Sequence, residues 1–386
     1  MISSITIELP KRIEFGTGKI QKLGEYLESF QKAFMLVDPP IRKRFDKLAT
    51  QLNEKNVDTL ISSEVVPEPS FEDLEKILEK TSSFKPDVVV GVGGGSAMDL
   101  AKIISILHSG SQTARDIVGI DKVKERKTAL VTVATTSGTG SEVTPIAVLT
   151  DKKEKLKMGI VSRHLIADLA VVDPELTVSM PSMVSASTGM DAMTHCIEAF
   201  SNRFCHPFVD TFALEGIRLI GQNLEKVLVD PEDLDARSAM SLASLYGGMC
   251  LGPVNTAGVH AMAYPLGGEY KVSHGVSNSV LLPFVMKFNL PECIDKYSQI
   301  GMALSLEDGG DKEHIARKAI IKIRTLARNC GIPENLKILN IPKKAIPEMA
   351  ESALKVTRLM ENNKRKIDLD AAVEIFTNAY DGSLFD

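Results

Sequence analysis

One segment limits the possible folds more than any other: an apolar run that ends in consecutive glycines and continues with helical spacing. The run Asp87–Gly91 is rich in valine, the glycines occupy positions 93–95, and residues 97–108 have a helical pattern. A buried strand that turns through glycines into a helix directs several backbone N–H groups and the positive end of the helix dipole to one point. The segment therefore predicts an anion-binding turn in an α/β domain.

Local details of this turn leave its ligand open. Ser96 and Asp99 are three residues apart, which predicts that Ser96 caps the helix and Asp99 lies in its first turn. No Gly-Lys-Ser/Thr follows, and Ser96 occupies the third glycine position of a G-x-G-x-x-G motif counted from Gly91. A strand–helix turn that needs only small residues is the structural alternative.

The chain changes character near its middle. Short β-branched runs alternate with amphipathic helical stretches up to Asp173, which is typical of parallel strands joined by helices. From Pro181 onward the patterns are long, helical and rich in Ala, Met and Leu. A length of 386 residues also favours two domains. We expect an α/β domain over residues 1–180 and an all-helical domain over residues 181–386.

Two further polar features stand at the ends of predicted strands. The loop Thr135–Glu142 follows the strand 129–134 and consists almost entirely of glycines and hydroxyl residues, which suits close contact with a polar ligand. Asp38 ends another strand, where a carboxylate can bind ribose hydroxyls and repel a 2′-phosphate, which favours NAD over NADP. A flexible loop and an ordinary turn acid are the alternatives.

The helical half contains a candidate metal site. Asp191 and His195 are four residues apart in a helical pattern and face the same way, and His260 and His274 flank a Pro- and Gly-rich bend. One carboxylate and three imidazoles suit Fe(II), Zn(II), Mn(II) or Ni(II) better than Ca(II) or Mg(II). A lone histidine in an apolar helix is more often a hydrogen-bonded core residue. The metal site is therefore predicted from the concentration of these three histidines in the helical half and not from any one of them.

Composition excludes several classes of protein. A net charge of −5 argues against a general nucleic-acid binder. Residues 238–268 contain no charged side chain, but their glycines and prolines favour the centre of a helical domain over a membrane span. Neither a secretory signal nor a C-x-x-C pair is recognisable, so we expect a cytoplasmic protein without a membrane partner.

Four motifs in order resemble the iron-containing (group III) alcohol dehydrogenases, and the resemblance covers nearly the whole chain. They are Gly93-Gly-Gly-Ser96-x-x-Asp99-x-Ala-Lys102, Thr135-Thr-x-Gly138-Thr139-Gly-Ser141-Glu142, Gly189-x-Asp191-Ala-x-x-His195-x-x-Glu198, and His260-Ala-x-x-x-Pro-Leu-Gly267 with His274-Gly275. The resemblance implies an α/β dinucleotide-binding domain, an all-helical metal-binding domain, an active site in the cleft between them, and a homodimer.

The resemblance also implies residue roles. The metal ligands fall on Asp191, His195, His260 and His274, with Fe(II) as the metal and Zn(II) as a possible substitute. The NAD contacts fall on Asp38, Gly94, Gly95, Ser96, Asp99, Thr135, Thr136, Thr139 and Lys157. This chain departs from the family pattern at Tyr264, where many members carry a histidine, and at Glu68, where many carry an asparagine. Tyr264 either hydrogen-bonds the substrate or forms a wall of the pocket.

The expected reaction is hydride transfer between the nicotinamide and a small primary alcohol, diol or aldehyde. Two alternatives remain at this stage. The first is an NAD- and metal-dependent cyclase of the dehydroquinate synthase type, but only Arg203 and Lys271 in residues 181–205 and 245–280 are available for a phosphorylated substrate. The second is a catalytically silent nucleotide-binding relative.

Overall fold

The structure, a computed structural model, describes residues 2–110, 112–154, 156–306 and 311–385. The chain forms two compact units. One is Ile7–Thr177, and the other contains the residues from Val178 onward together with the amino-terminal residues up to Thr6. The division therefore falls three residues before the expected one, and the first few residues belong to the helical unit rather than to the α/β unit.

The first unit is built on parallel strands. In the described residues its strands are β1 (Arg12–Phe15), β2 (Lys32–Val37), β3 (Asp58–Ser62), β4 (Val88–Gly93), β5 (Gly119–Ile120), β6 (Ala129–Ala134), β7 (Ile146–Asp151), β8 (Leu156–Val161) and β9 (Leu169–Val172). Six of them form one parallel sheet in the order β1-β9-β6-β4-β2-β3. The three strands named from the sequence, at 87–91, at 129–134 and before Asp38, all belong to this sheet as β4, β6 and β2.

Burial on both faces explains why the central strands are continuous apolar runs. β4 is buried along its whole length between β2 and β6, with Val90 opposite Met35 on one side and Val131 on the other. The helices of this unit are α1 (Gln21–Leu27), α2 (Arg42–Glu54), α3 (Phe71–Phe84) and α4 (Gly95–Leu107). Because β2, β4 and β6 are parallel neighbours, the residues that follow them lie at one edge of the sheet.

A second, smaller sheet was not expected from the sequence. β7 pairs with β8 in antiparallel fashion, and β5 pairs with β8 in parallel. β7 alternates buried and half-buried residues, and β8 is half-buried along most of its length. Such strands lack the long apolar runs by which the central strands were recognised. This sheet carries Lys157, which lies on β8.

The second unit is helical in its described residues. Its helices are α5 (Ser182–Ser201), α6 (Pro207–Val229), α7 (Leu234–Leu251), α8 (Gly258–Tyr270), α9 (His274–Ala303), α10 (Lys312–Asn329), α11 (Ile346–Leu354), α12 (Thr357–Met360) and α13 (Leu369–Asp381). The uncharged stretch 238–268 supplies much of α7 and α8, most of whose residues are buried. Within the described residues, none of the helices combines the length and the apolar character needed to span a bilayer.

Candidate functional site

The glycine turn after β4 is tied to the end of β2. The Gly94 N–H donates to Asp38 Oδ2 at 3.0 Å. Gly93 has φ +156°, and a Cβ there would lie 2.3 Å from the same carboxylate oxygen, so only glycine fits. Burial raises the pKa of Asp38, and the hydrogen bond from Gly94 opposes that rise. The structure thus brings Asp38 and the glycines to one point.

The helix after this turn begins two residues earlier than expected. α4 starts at Gly95 with Gly94 as its N-cap, so the prediction that Ser96 caps the helix is wrong. Ser96 Oγ instead accepts a hydrogen bond from the Glu68 N–H at 3.2 Å. Glu68 has a left-handed φ of +52°, and its carboxylate lies 2.8 Å from Lys157 Nζ. Glu68, where this chain departs from the family pattern, therefore lies beside the turn. Lys157, a predicted NAD contact, lies there with it through its ion pair with Glu68.

The hydroxyl-rich loop after β6 packs against the same glycines. The Thr135 N–H donates to the Gly93 carbonyl at 3.1 Å, which attaches the start of the loop to the end of β4. A Cβ on Gly94 would lie 3.4 Å from Thr136 Oγ1, and a Cβ on Gly95 would lie 2.9 Å from Thr139 Cγ2. Small residues at these positions hold backbone N–H groups and threonine hydroxyls side by side.

Asp99 has a role inside the fold. Ser141 Oγ donates to its Oδ1 at 2.6 Å and the Val148 N–H donates to its Oδ2 at 3.0 Å, so Asp99 joins α4 to β7. The neighbouring Lys102 is buried and donates to Ser141 Oγ at 2.8 Å and to Thr144 Oγ1 at 3.0 Å. Burial lowers the pKa of Lys102 to about 8. Both oxygens of Asp99 thus accept hydrogen bonds from the protein itself. These bonds do not test the nucleotide contact of Asp99, which stays a prediction.

The four expected metal ligands converge in the helical unit. Asp191 and His195 lie one turn apart on α5, His260 lies on α8, and His274 is the first residue of α9. Asp191 Oδ1 lies 3.9 Å from His195 Nε2, 3.7 Å from His260 Nε2 and 3.7 Å from His274 Nε2. A Cβ at Gly275 would lie 2.2 Å from the Ser187 carbonyl oxygen, so glycine allows α9 to begin against α5.

These separations suit a shared cation. A tetrahedral ion with bonds of about 2.1 Å holds its ligand atoms about 3.4 Å apart, which is close to the spacing found here. Asp191, His195 and His260 are almost fully buried, whereas the His274 side chain is 32% exposed. Burial by itself raises the pKa of Asp191, but the three imidazoles and Asn278 outweigh it and lower the pKa to about 2. The ligand set therefore fits a divalent ion of the iron or zinc type.

Sequence reasoning gave no role to Glu198, which orients one of these histidines. Its Oε2 lies 2.5 Å from His260 Nδ1, and its Oε1 accepts the Val259 N–H at 2.6 Å. A carboxylate on Nδ1 fixes the proton there and leaves Nε2 free to bind a metal. The His-x-x-Glu spacing of His195 and Glu198 was a usable signal, because it places both on neighbouring positions of α5.

Tyr264 lies one turn after His260 on α8. Burial raises the pKa of its hydroxyl, the positive charge of Arg358 lowers it, and Glu198 raises it. Tyr264 is therefore placed near the metal ligands, and its role stays open between a substrate hydrogen bond and a pocket wall.

Comparisons with known proteins cover both units. The family profile described as "Iron-containing alcohol dehydrogenase" matches residues 10–174, and the profile "Fe-containing alcohol dehydrogenase family, C-terminal" matches residues 185–380. Long-chain-alcohol dehydrogenase 1 of Geobacillus thermodenitrificans is 34% identical over 99% of this chain and 98% of its own. The 1,3-propanediol dehydrogenase of Citrobacter freundii is 35% identical over 95% of this chain and 96% of its own.

The name of a further relative includes its nucleotide, NAD, and a known crystal structure has the same fold as this chain. The NAD-dependent methanol dehydrogenase of Bacillus methanolicus is 29% identical over 96% of this chain and 98% of its own. The crystal structure of a 1,3-propanediol oxidoreductase superposes with a TM-score of 0.93 at 34% identity and covers 98% of this chain and 100% of its own.

Proposed function

Because the chain belongs to the iron-containing alcohol dehydrogenase family, we propose that it is an NAD-dependent oxidoreductase that interconverts a small primary alcohol or diol and its aldehyde. The observation that carries the proposal is the meeting of one carboxylate and three imidazoles within 3.9 Å of Asp191 Oδ1. We propose Asp191, His195, His260 and His274 as the ligands of Fe(II), and Zn(II) suits the same donors.

The metal centre has to favour a negatively charged oxygen. A divalent ion at this site supplies Lewis acidity, which lowers the pKa of an alcohol or polarises an aldehyde. Asp191 is the one anionic ligand, so the site keeps a formal charge of about +1 when loaded, and this charge favours an alkoxide. Glu198 supports the centre by keeping the proton of His260 on Nδ1.

The α/β unit has to hold NAD, whose nicotinamide accepts the hydride. We propose that Asp38 accepts hydrogen bonds from ribose hydroxyls and disfavours the 2′-phosphate of NADP. Gly95 and Ser96 present N–H groups at the start of α4 for the pyrophosphate. Gly94, whose own N–H donates to Asp38, lets the ligand approach because it has no side chain, and Thr135, Thr136 and Thr139 lie beside the turn. Lys157 approaches the nucleotide while paired with Glu68.

Alcohol oxidation transfers one hydride to NAD and releases one proton to solvent. A variant of Tyr264 tests whether its hydroxyl group bonds the substrate in this reaction. Tyr264→Phe keeps the bulk of the ring and removes the hydroxyl. If the hydroxyl bonds the substrate, kcat/KM falls about 10-fold or more, because a hydrogen bond to a charged group contributes about 1.5–3 kcal/mol. If the ring only forms a wall, kcat/KM changes less than about twofold.

The relatives support a range of alcohols rather than one substrate. Their names specify long-chain alcohols, 1,3-propanediol and methanol, so the common element is a primary hydroxyl group. We propose that this chain acts on members of the same class as a cytoplasmic homodimer. Sedimentation velocity tests the dimer directly, and a monomer at micromolar concentration would contradict it.

The activity is tested with metal-free protein reloaded with Fe(II) or Zn(II). A panel of short alcohols and diols is supplied with NAD, and NADH formation is followed at 340 nm. We expect NADH from at least one primary alcohol only in the metal-loaded samples. Conversion of a substrate without net NADH would indicate a cyclase, and nucleotide binding without any turnover would indicate a silent relative.

A further inference from the structure

A buried amide adjoins three of the four proposed metal ligands. Asn278 lies one turn after His274 on α9 and is fully buried. Its Nδ2 lies 2.7 Å from Asp191 Oδ1, 3.0 Å from His260 Nε2 and 3.2 Å from His274 Nε2. One side-chain nitrogen thus contacts atoms that come from α5, α8 and α9.

Hydrogen-bond chemistry decides which of these contacts is the strong one. An amide NH₂ group has two hydrogens and cannot serve three acceptors fully. The shortest contact is to the carboxylate, and charge-assisted hydrogen bonds are about twice as strong as neutral ones. The reversed amide would place the Asn278 oxygen 2.7 Å from a carboxylate oxygen, with no hydrogen between two acceptors. The NH₂ group therefore belongs toward Asp191.

The contact selects one oxygen of Asp191. The same Oδ1 that accepts from Asn278 is also the oxygen that faces the three imidazoles. A hydrogen bond to Oδ1 restricts rotation of the carboxylate about its Cβ–Cγ bond. The amide also occupies the space next to Oδ1, His260 and His274, where a water or a second carboxylate oxygen would otherwise bind the ion.

We propose that Asn278 is a positioning residue of the metal centre: its amide holds Asp191 so that a single oxygen faces the cation, and it closes one side of the ligand set. The inference rests on the proposed function, since it requires a metal at these ligands. A restricted ligand number suits Zn(II), which binds four or five ligands, and Fe(II), whose protein sites can keep open positions, better than Mg(II), which demands six.

The test uses Co(II), whose visible spectrum reports the number and geometry of its ligands. The metal-free full-length protein and its variants are titrated with Co(II) against a competing chelator, and the spectrum is recorded at saturation. For Asn278→Ala we expect binding about 10- to 100-fold weaker, the usual effect of losing a residue that supports a metal ligand. We also expect a spectrum that indicates more ligands, because Asp191 can turn and water can enter.

Asn289 provides a matched control on the same helix. It is buried on α9, and its amide exchanges hydrogen bonds of 2.9 and 2.8 Å with Asn363. Asn289→Ala should lower the thermal unfolding midpoint without changing the affinity for Co(II) or its spectrum. Equal changes in both variants, or wild-type affinity and spectrum in Asn278→Ala, would overturn the proposal. Failure of the wild-type protein to bind Co(II) would instead overturn the proposed function and the inference with it.

Asn278→Asp gives a second measurement that needs no loss of side-chain volume. It places a second carboxylate against Asp191, so the metal-free variant should have a lower unfolding midpoint than the wild type. Co(II) should then raise that midpoint by more than it raises the wild-type value, because the cation neutralises the repulsion. An unchanged midpoint in the metal-free variant would contradict the contact between Asn278 and Asp191.

Discussion

Replacing Glu198 by glutamine removes one acceptor from a buried site that uses two. In the wild type, one carboxylate oxygen accepts the Val259 N–H and the other faces His260 Nδ1. Glutamine has the same shape but only one acceptor oxygen, so its NH₂ group has to face one of the two donors. If the NH₂ group faces His260, the imidazole carries its proton on Nε2 and loses the lone pair that binds a metal.

The two orientations have comparable costs. Loss of a carboxylate that orients a metal-binding histidine weakens metal binding about 10- to 100-fold, which corresponds to about 1.4–2.7 kcal/mol. Leaving the Val259 N–H buried without an acceptor costs about 1–3 kcal/mol of folding free energy. We therefore expect Glu198→Gln to show at least one of two effects: metal binding weaker by at least about 10-fold if the NH₂ group faces His260, or a lower unfolding midpoint if it faces Val259.

Zn(II) affinity is measured by competition with a chromophoric chelator, and unfolding is followed by circular dichroism on metal-free protein. Glu215→Gln is the control, because Glu215 is a half-exposed residue on α6 that pairs with Arg218 and contacts none of the ligands. The control should match the wild type in both measurements. Wild-type zinc affinity and an unchanged midpoint in Glu198→Gln would refute the role given to this carboxylate.

Three further predictions address the ligands, the nucleotide and a buried acid. His274→Ala should abolish metal-dependent NADH formation, while NAD affinity, measured by fluorescence titration, stays within a few fold of the wild-type value. His314 is exposed, so His314→Ala is the control and should resemble the wild type. Retained turnover in His274→Ala would refute the ligand assignment. Asp38→Ala should weaken NAD binding about 10-fold, since the variant lacks the acceptor for the ribose hydroxyls. It should also reduce the preference for NAD over NADP, since the charge that repels the 2′-phosphate is gone. An unchanged ratio of the dissociation constants for NAD and NADP would contradict this role. Burial raises the pKa of Glu142 to about 7 from 4.5, so the folded protein keeps this proton while the unfolded chain releases it, and the free energy of unfolding should fall by up to about 3 kcal/mol between pH 4.5 and 7. Urea unfolding should show this fall in the wild type and a smaller one in Glu142→Gln, and parallel pH profiles would refute it.

The elements that could be predicted are those whose signal is local. β2, β4 and β6 are buried on both faces and therefore appear as apolar runs in the sequence. The small sheet of β5, β7 and β8 escaped prediction because its strands are short or only partly buried. Its position depends on pairing between segments that carry no strong pattern of their own.

The candidate site shows the same division. The spacing of Asp191 and His195 indicated a shared direction, because residues four apart on a helix face the same side. The spacing of His195 and Glu198 placed Glu198 on the same side of α5, but the partners of Glu198 and Asn278 could not be read from the sequence, because they lie on other helices. Because α4 begins earlier than expected, Asp99 lies just beyond its first turn, and the nucleotide contact of Asp99 stays a prediction. The hydrogen bonds that its two oxygens accept from Ser141 and Val148 could not be read from the sequence, because these partners lie more than forty positions away.

The sequence by itself determined the strand–glycine–helix turn, the alternation of strands and helices in the first half, and the residue types able to bind a divalent ion. Each of these depends on neighbours within a few positions, where backbone geometry relates spacing directly to direction. Only the tertiary structure decided that α5, α8 and α9 bring one aspartate oxygen within 3.9 Å of three imidazoles, and that a glutamate and an asparagine support them. Those contacts join distant parts of the chain, and they follow from how whole helices pack rather than from any local pattern.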